Sequence, residues 1–509
     1  RYVMKKIQSH QKKKWFPYNK GGDFRRWYGN NLFLINWYDG GKEVLNYAAQ
    51  LYGSPTRTIR NIPYFFKPSI TWTFVSSSAF GVRSNESGFI FDVGGSSAFP
   101  AFNKFWFILG LLASRLSFEY LKTVNPTLNF QAGNVGSIPI INVSDLSLKT
   151  IEDNSKLAVN NVKLDWDSYE FSWDFLSLPL LHPDHHTTDL TTTYTILRKH
   201  WQKITLEMQR FEEENNRIFI EAYGLEDELT PEVPLHEITI TCNPHYRYAQ
   251  GKTEEAYETL LLTDTMKELI SYAIGCMMGR YSLDEPGLIY AHSGNEGFDP
   301  SRYKTFPADD DGILPIMDME WFDDDVTAQF LTFMKTAWPA ETHDDNLKFI
   351  ADTLNSKAGE SPEATIRRYL STTFFKDHMK MYKKRPIYWL FSSGKQRAFE
   401  CLVYLHRYNE STLSRMRSKY VTPLQGNILA RLEYLGREKD AATMASAQKK
   451  LQKAIDLLRK KQTELQAFDD ELRHYADMKI ALDLDDGVKV NYGKFGNLLA
   501  QKKAITGKK

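Results

Sequence analysis

Between Lys12 and Tyr28 the chain reads Lys-Lys-Lys-Trp-Phe-Pro-Tyr-Asn-Lys-Gly-Gly-Asp-Phe-Arg-Arg-Trp-Tyr. Six cations, Lys12, Lys13, Lys14, Lys20, Arg25 and Arg26, are interleaved with the rings of Trp15, Phe16, Tyr18 and Phe24. Cations bind phosphate, flat rings offer stacking faces, and Gly21-Gly22 lets a backbone come close to a ligand. The stretch reads as a polyanion-facing loop on a β-rich module. It reads equally as a solvated basic turn whose aromatics enter the core. Serine turns at strand ends, Ser76-Ser77-Ser78 and Ser96-Ser97, offer hydroxyls and free amides to phosphate. Asn129 and Gln131, near Asn125-Pro126-Thr127, carry carboxamides of the kind that read adenine edges. Arg57, Arg60 and Arg83 are further candidates for base-edge or groove contacts. A second basic-aromatic run holds Lys383, Lys384, Arg385 and Lys395 and could clamp the same duplex from another side. The alternative for all of these polar residues is that they satisfy the backbone of their own turns.

Two stretches imitate a methyltransferase. Phe91-Asp-Val-Gly-Gly-Ser96 resembles a glycine-rich cofactor turn, and Asn243-Pro-His-Tyr246 resembles an Asn-Pro-Pro-Tyr motif. In that motif an Asn holds the amine of an extruded adenine while an aromatic ring stacks on it. Here His245 replaces the second proline, and Pro100 follows the glycine turn where a helix is required. The pair is therefore read as a turn and a strand end, with no catalytic residue. His182, Asp184, His185 and His186 are adjacent ligand types on one loop, which rarely converge on one ion, so no metal site is expected. The acidic runs 309–311 and 323–325 lack a calcium-loop spacing and read as solvated faces.

Stepping from these residues to what must carry them, 509 residues suggest roughly three domains. Hydrophobic residues make up 42% and charged residues 25%, ordinary for globular protein. The net charge is +1, so the whole molecule is no general polyanion binder. Residues 1–75, however, hold thirteen Lys and Arg against three Asp and Glu, an excess of ten positive charges. A basic portion on a neutral whole points to one face built for an anion. Cys242, Cys276 and Cys401 lie far apart, which fits a reducing, cytoplasmic setting. The ten-residue apolar run 105–114 is too short to span a bilayer. The chain opens on Arg1 rather than Met and reads as a piece of something longer.

The pattern predicts an α+β protein: a β-rich recognition domain over residues 1–150, a helical connecting domain over 151–300, and a mostly helical domain over 301–509. Strands are expected near 31–38, 70–75, 88–93, 137–142 and 386–391, where β-branched and aromatic residues run into Gly, Ser or Asn turns. Helices are expected over 105–122, 146–169, 194–223 and 253–278, with more between 326 and 375. Residues 430–475 fit a long helix or a helical hairpin.

Lys14-Trp-Phe-Pro-Tyr-Asn-Lys-Gly-Gly-Asp-Phe-Arg-Arg-Trp-Tyr-Gly-Asn30, Gly88-Phe-Ile-Phe-Asp-Val-Gly-Gly-Ser-Ser97, Asn125-Pro-Thr-Leu-Asn-Phe-Gln131 and Tyr388-Trp-Leu-Phe-Ser-Ser-Gly394 resemble the adenine-specific DNA methyltransferases (PglX family) of BREX phage-defence systems. The resemblance covers most of the chain but only the C-terminal part of the family. It implies that S-adenosylmethionine and the catalytic motif belong to an N-terminal domain outside this chain, so no cofactor is expected here. It further implies that residues 1–150 read a short site on double-stranded DNA. Other BREX proteins are the implied partners, and a DNA-mimicking phage inhibitor is a further candidate. The rival reading is a non-enzymatic scaffold whose basic face binds an acidic protein.

Overall fold

A computed structural model describes residues 14–76 and 79–507. The chain forms two compact units, residues 1–179 with 194–262 and residues 180–193 with 263–509. The architecture is α+β, with three small sheets and many helices among the described residues.

In the first unit, strand β1 (Trp15–Asn19) pairs antiparallel with β2 (Phe33–Asn36), Trp15 opposite Asn36. It pairs parallel with the two-residue β5 (Ile90–Phe91), giving the order β2-β1-β5. A second sheet, β4-β3-β6, joins Val82–Asn85, Ser69–Trp72 and Ser97–Ala98. The burial of β1 alternates residue by residue, as a half-buried strand must. Between β2 and β3 lies helix α1 (Lys42–Tyr52), entered from Gly41 and ended by Gly53 in the left-handed region. A Cβ on Gly41 would stand 2.7 Å from the Trp37 ring, so that ring requires glycine there. Trp37, Phe65 and Ile90 form the local core, joined by Phe16, Ile35, Val44, Leu45 and Phe91.

Residues 105–122 form two helices, α2 (Phe105–Ala113) and α3 (Arg115–Val124), where one was expected. Ser114 breaks them with ψ of 158°, its hydroxyl donating back to Leu111 O. The expected strand near 137–142 does not form. Helix α4 (Asp145–Asp167) packs on α2 at Gly110, where a Cβ would stand 2.8 Å from Ile151 and Ser155. Helix α5 (Leu190–Tyr223) supplies most of its length to this unit.

The second unit centres on the sheet β7-β9-β8, made of Ile313–Pro315, Glu400–Tyr404 and Tyr388–Ser392. The open edge of β8 is covered by residues 498–500, which exchange backbone hydrogen bonds with Leu390 and Ser392. Helix α6 (Glu254–Met277) supplies its residues from Thr263 on to this unit. The region read as a long helix or hairpin holds α7 (Thr422–Ala441) and α8 (Ala445–Asp477), packed on each other. Among the described residues no helix is long and apolar enough to cross a membrane.

Two carboxyls in this unit are raised. Burial pushes Glu400 up to about 7, and burial with the neighbouring Asp311 pushes Asp309 above the usual carboxylate range. A folded pKa above the unfolded one means the native state holds more protons. The stabilisation is complete below the unfolded pKa, near 4, and is lost as pH rises through 7. Glu400→Gln keeps an acceptor for the Ser392 hydroxyl, 2.8 Å away, and carries no charge. The variant should melt above wild type at about pH 8, by up to roughly 3 kcal/mol, and level with it at about pH 5. Melting curves at the two pH values check this.

Candidate nucleic-acid interface

The stretch richest in cations is divided: Lys20 is exposed and Lys14 half-buried, while its arginines are buried. Lys12, Lys13 and Ser77 fall outside the described residues. Arg25 and Arg26 are 7% and 5% exposed. Arg25 lies over the rings of Trp166 and Tyr246 and donates to Thr239 O and Thr241 Oγ1, both at 3.2 Å. Arg26 donates to Glu212 at 2.6 Å and to Glu237 at 2.8 Å. Burial works against its charge, and the two carboxylates more than offset that. Glu212 also accepts from Trp27 Nε1 at 2.7 Å. Arg83 is 2% exposed, and burial together with the charge of Arg25 lowers its pKa to about 10. These three guanidiniums face protein on every side, so the phosphate and base contacts read from the sequence do not fit their placement.

The glycine turns are also used internally. Gly21 has φ of +69°, and a Cβ there would stand 2.4 Å from Gly94 O. The backbone that comes close at Gly21-Gly22 is thus the Asp92–Ser96 turn of the same chain. Asp92 accepts from Gly94 N, Gly95 N and, at 2.5 Å, the Tyr18 hydroxyl, with Lys20 Nζ at 3.8 Å. The Ser96 and Ser97 hydroxyls donate to Val93 O and Gly95 O. Ser76 Oγ donates to Ala79 O. Asn243 is wholly buried; it accepts from His245 N and donates to Leu235 O and Ile238 O, while Tyr246 donates to Phe24 O. Among the described residues no group of three or more His, Cys, Asp or Glu side chains is placed to hold a metal ion.

What remains on the surface is gathered around α1. An open groove of about 780 Å³ is lined by Lys14, Asn36, Tyr38, Asp39, Lys42, Glu43 and Asn46, with Lys42 Nζ 3.9 Å from Asp39. Asn36 is held in place, donating to Glu43 at 2.6 Å and accepting from Tyr38 N at 3.1 Å. Asn46 and Lys42 are exposed. At the other end of α1, Arg57 and Arg60 are exposed, with Arg57 against Tyr52 O. The rings of Tyr38, Tyr47, Tyr52 and Tyr64 are 52%, 63%, 47% and 46% exposed, and Lys67 lies 4.9 Å from the Tyr64 ring. Sequence reasoning missed this helix and its tyrosines. Val44, Leu45 and Ala48 at three- and four-residue spacing, closed by Gly53, were the available signal. Gln131 is exposed at the start of the short helix Ala132–Gly136, and Asn129 is half-buried, forming a bridge with Val75.

In the second unit Lys383, Lys384 and Arg385 are exposed where the helix Phe375–Met381 ends, and Lys395 is exposed beside Gly394. The Ser392-Ser-Gly turn already holds an anion, because Glu464 of α8 accepts from Ser393 Oγ, Gln396 N and Ala398 N.

No family model matches the chain. Over 507 residues, 97% of this chain, it is 47% identical to the adenine-specific methyltransferase BrxX of Escherichia coli O9:H4 (strain HS). Over 497 residues it is 38% identical to the adenine-specific methyltransferase PglX of Lacticaseibacillus casei (strain Zhang). The chain spans 40% and 39% of those two proteins. The resemblance carried by the four stretches therefore holds along nearly the whole chain.

The Arg26–Glu212 pair is a test of the placement. Glu212→Ala leaves a buried guanidinium short of one carboxylate and orphans Trp27 Nε1, and should cost about 3–5 kcal/mol of stability. Arg26→Met combined with Glu212→Leu should recover most of that loss. Chemical denaturation of the two variants measures both.

Proposed function

We propose that the first unit reads double-stranded DNA for an adenine-specific DNA methyltransferase of the BREX type, with S-adenosylmethionine bound by a part of the protein outside this chain. The observation that carries the reading is the surface along α1, where Lys14, Lys42, Arg57 and Arg60 outnumber Asp39 and Glu43 and share the surface with carboxamides and exposed rings. Its kinship with proteins named adenine-specific methyltransferases supplies the reaction class. Eleven residues make α1 roughly 16 Å long, the scale of a major groove, with Lys42 at its start and Arg57 and Arg60 beyond its end. Lys14, Lys20, Lys42, Arg57 and Arg60 hold the backbone in this reading. Asn46, Asn129 and Gln131 are the base-reading candidates. Within the second unit, Lys383, Lys384, Arg385 and Lys395 are exposed candidates for phosphate contact. Marking of host DNA, contact with other BREX proteins and work in the bacterial cytoplasm follow from the same reading.

Titrating duplexes against salt tests it. Lys42→Ala with Arg57→Ala and Arg60→Ala should weaken binding to all sequences alike and reduce the slope of log affinity against log salt by about 1 per lost contact. Asn46→Ala should leave the slope alone and change which sequences are preferred. Unchanged affinity and slope in the triple variant would sink the reading. Persistent binding of an acidic protein with no binding of duplex would favour the scaffold instead.

A further inference from the structure

Away from the α1 groove, the first unit contains a cavity of about 100 Å³ between the β4–β5 turn and the end of α4. Its walls are aromatic: Tyr28, Phe89, Trp166 and Trp173. Its polar groups are the carboxylates of Glu86 and Asp174, the hydroxyls of Tyr28, Ser87 and Ser172, the Asn31 carboxamide and the Lys163 ammonium. Asn31, 5% exposed, lines it, and among the described residues Asn31 Oδ1 has no hydrogen-bond partner. Glu86 and Asp174 are exposed where the cavity meets solvent. Asp167 lies next to it, accepting from Ser172 Oγ at 2.5 Å. Burial lifts Asp167 to about 6, and burial with Asp167, Asp174 and Glu86 lifts the Tyr28 hydroxyl well above its ordinary value. The single cation is Lys163, whose Nζ is 2.6 Å from Glu86 and 5.6 Å from the Tyr28 ring.

The balance of these groups selects a ligand. A phosphate would meet Glu86 and Asp174 at the mouth and Asp167 beside it, with Lys163, already paired to Glu86, as the lining cation. A neutral amine would satisfy Asn31 but make no use of the negative charge. A flat cation with several N–H donors can stack on an aromatic wall, bond the carboxylates and donate a hydrogen bond to Asn31 Oδ1. We propose that this cavity receives a guanidinium group, presented by an arginine side chain of a partner protein. Lys163 occupies part of the same field in the free chain, and the incoming cation competes with it for Glu86. The site does not depend on the DNA reading, since its charge is of the opposite sign to the one DNA needs.

The test is equilibrium binding of N-acetyl-arginine amide and of methylguanidinium, followed by thermal shift and located by crystal soaking. Inorganic phosphate and adenosine serve as rivals. Either cation seated against Asn31 and Asp174 supports the proposal, and tighter binding of the capped arginine assigns the site to a protein side chain. Asp174→Asn should weaken the capped arginine by about tenfold, the loss of one charge-assisted bond. Lys163→Met should tighten it several-fold, and Lys163→Gln carries the same test if the first variant folds poorly. Weaker binding in the Lys163 variants overturns the proposal. So does occupancy by phosphate or adenosine in place of the cations, or no binding of either cation at tens of millimolar.

Discussion

The carboxylate of Glu212 fixes how the front of this molecule is used. It takes a hydrogen bond from Arg26 and another from Trp27, two consecutive residues of one strap, at 2.6 and 2.7 Å. Consecutive side chains in an extended segment point to opposite faces, so both reach one acceptor only if the backbone turns between them. Trp27 does turn, with φ of +71°. Its N–H and C=O are then taken by Val82 O and Ser84 N, which ties the strap to β4. A bulky residue in the left-handed region is costly. It persists here because the indole nitrogen, the backbone and the neighbouring guanidiniums are all held at once. Arg25 extends the arrangement by lying between Trp166 and Tyr246. The strands and helices of the first unit are therefore joined through a charged, hydrogen-bonded strap rather than through apolar contact alone.

That constraint redistributes the basic charge. Of the ten-charge excess in residues 1–75, Arg25 and Arg26 are withdrawn from solvent, and Arg83 beyond it is withdrawn too. The exposed share falls to residues such as Lys14, Lys20, Lys42, Arg57 and Arg60. A duplex would meet the flank of α1 rather than the Arg-Arg pair. The same economy recurs in the second unit. Glu464 fills the Ser-Ser-Gly turn with three hydrogen bonds, the contacts a phosphate oxygen would make. Where amides and hydroxyls are arranged for an anion, the chain supplies one of its own.

Much of this was legible and some was not, for identifiable reasons. The change from short strands to long helices near residue 144 follows from a change of hydrophobic period, and α4, α5 and α6 lie within a few residues of their expected limits. The break at Ser114 was hidden because the apolar run passes straight through it, and only the serine hydroxyl bonding to Leu111 O marks it. The expected strand at 137–142 had the residue types but no partner strand, and propensity alone does not hold a strand. Helix α1 was overlooked because Asp39-Gly-Gly41 drew attention as a turn, whereas it is also the entry to a helix. The burial of the arginines could not be read locally. Glu212 lies 186 residues from Arg26, and no spacing rule links them.

Glycine-rich turns show the same difficulty from the other side. Lys20-Gly-Gly22 and Val93-Gly-Gly95 each carry the composition of a ligand-binding loop. Composition reports only that a backbone must be approached closely, and is silent on what approaches it. In this protein the two turns approach each other: Gly21 faces Gly94 O, Gly94 faces Lys20 O and Gly95 faces Asn19 O. Asp92 then closes the second turn through its amides and reaches Tyr18 on β1. Each turn is the reason the other needs glycine. The interlock secures the parallel pairing of β1 with β5, which is only two residues long and has little ladder of its own. A short strand so secured lets Ile90 reach the core that Val44 and Leu45 of α1 pack against.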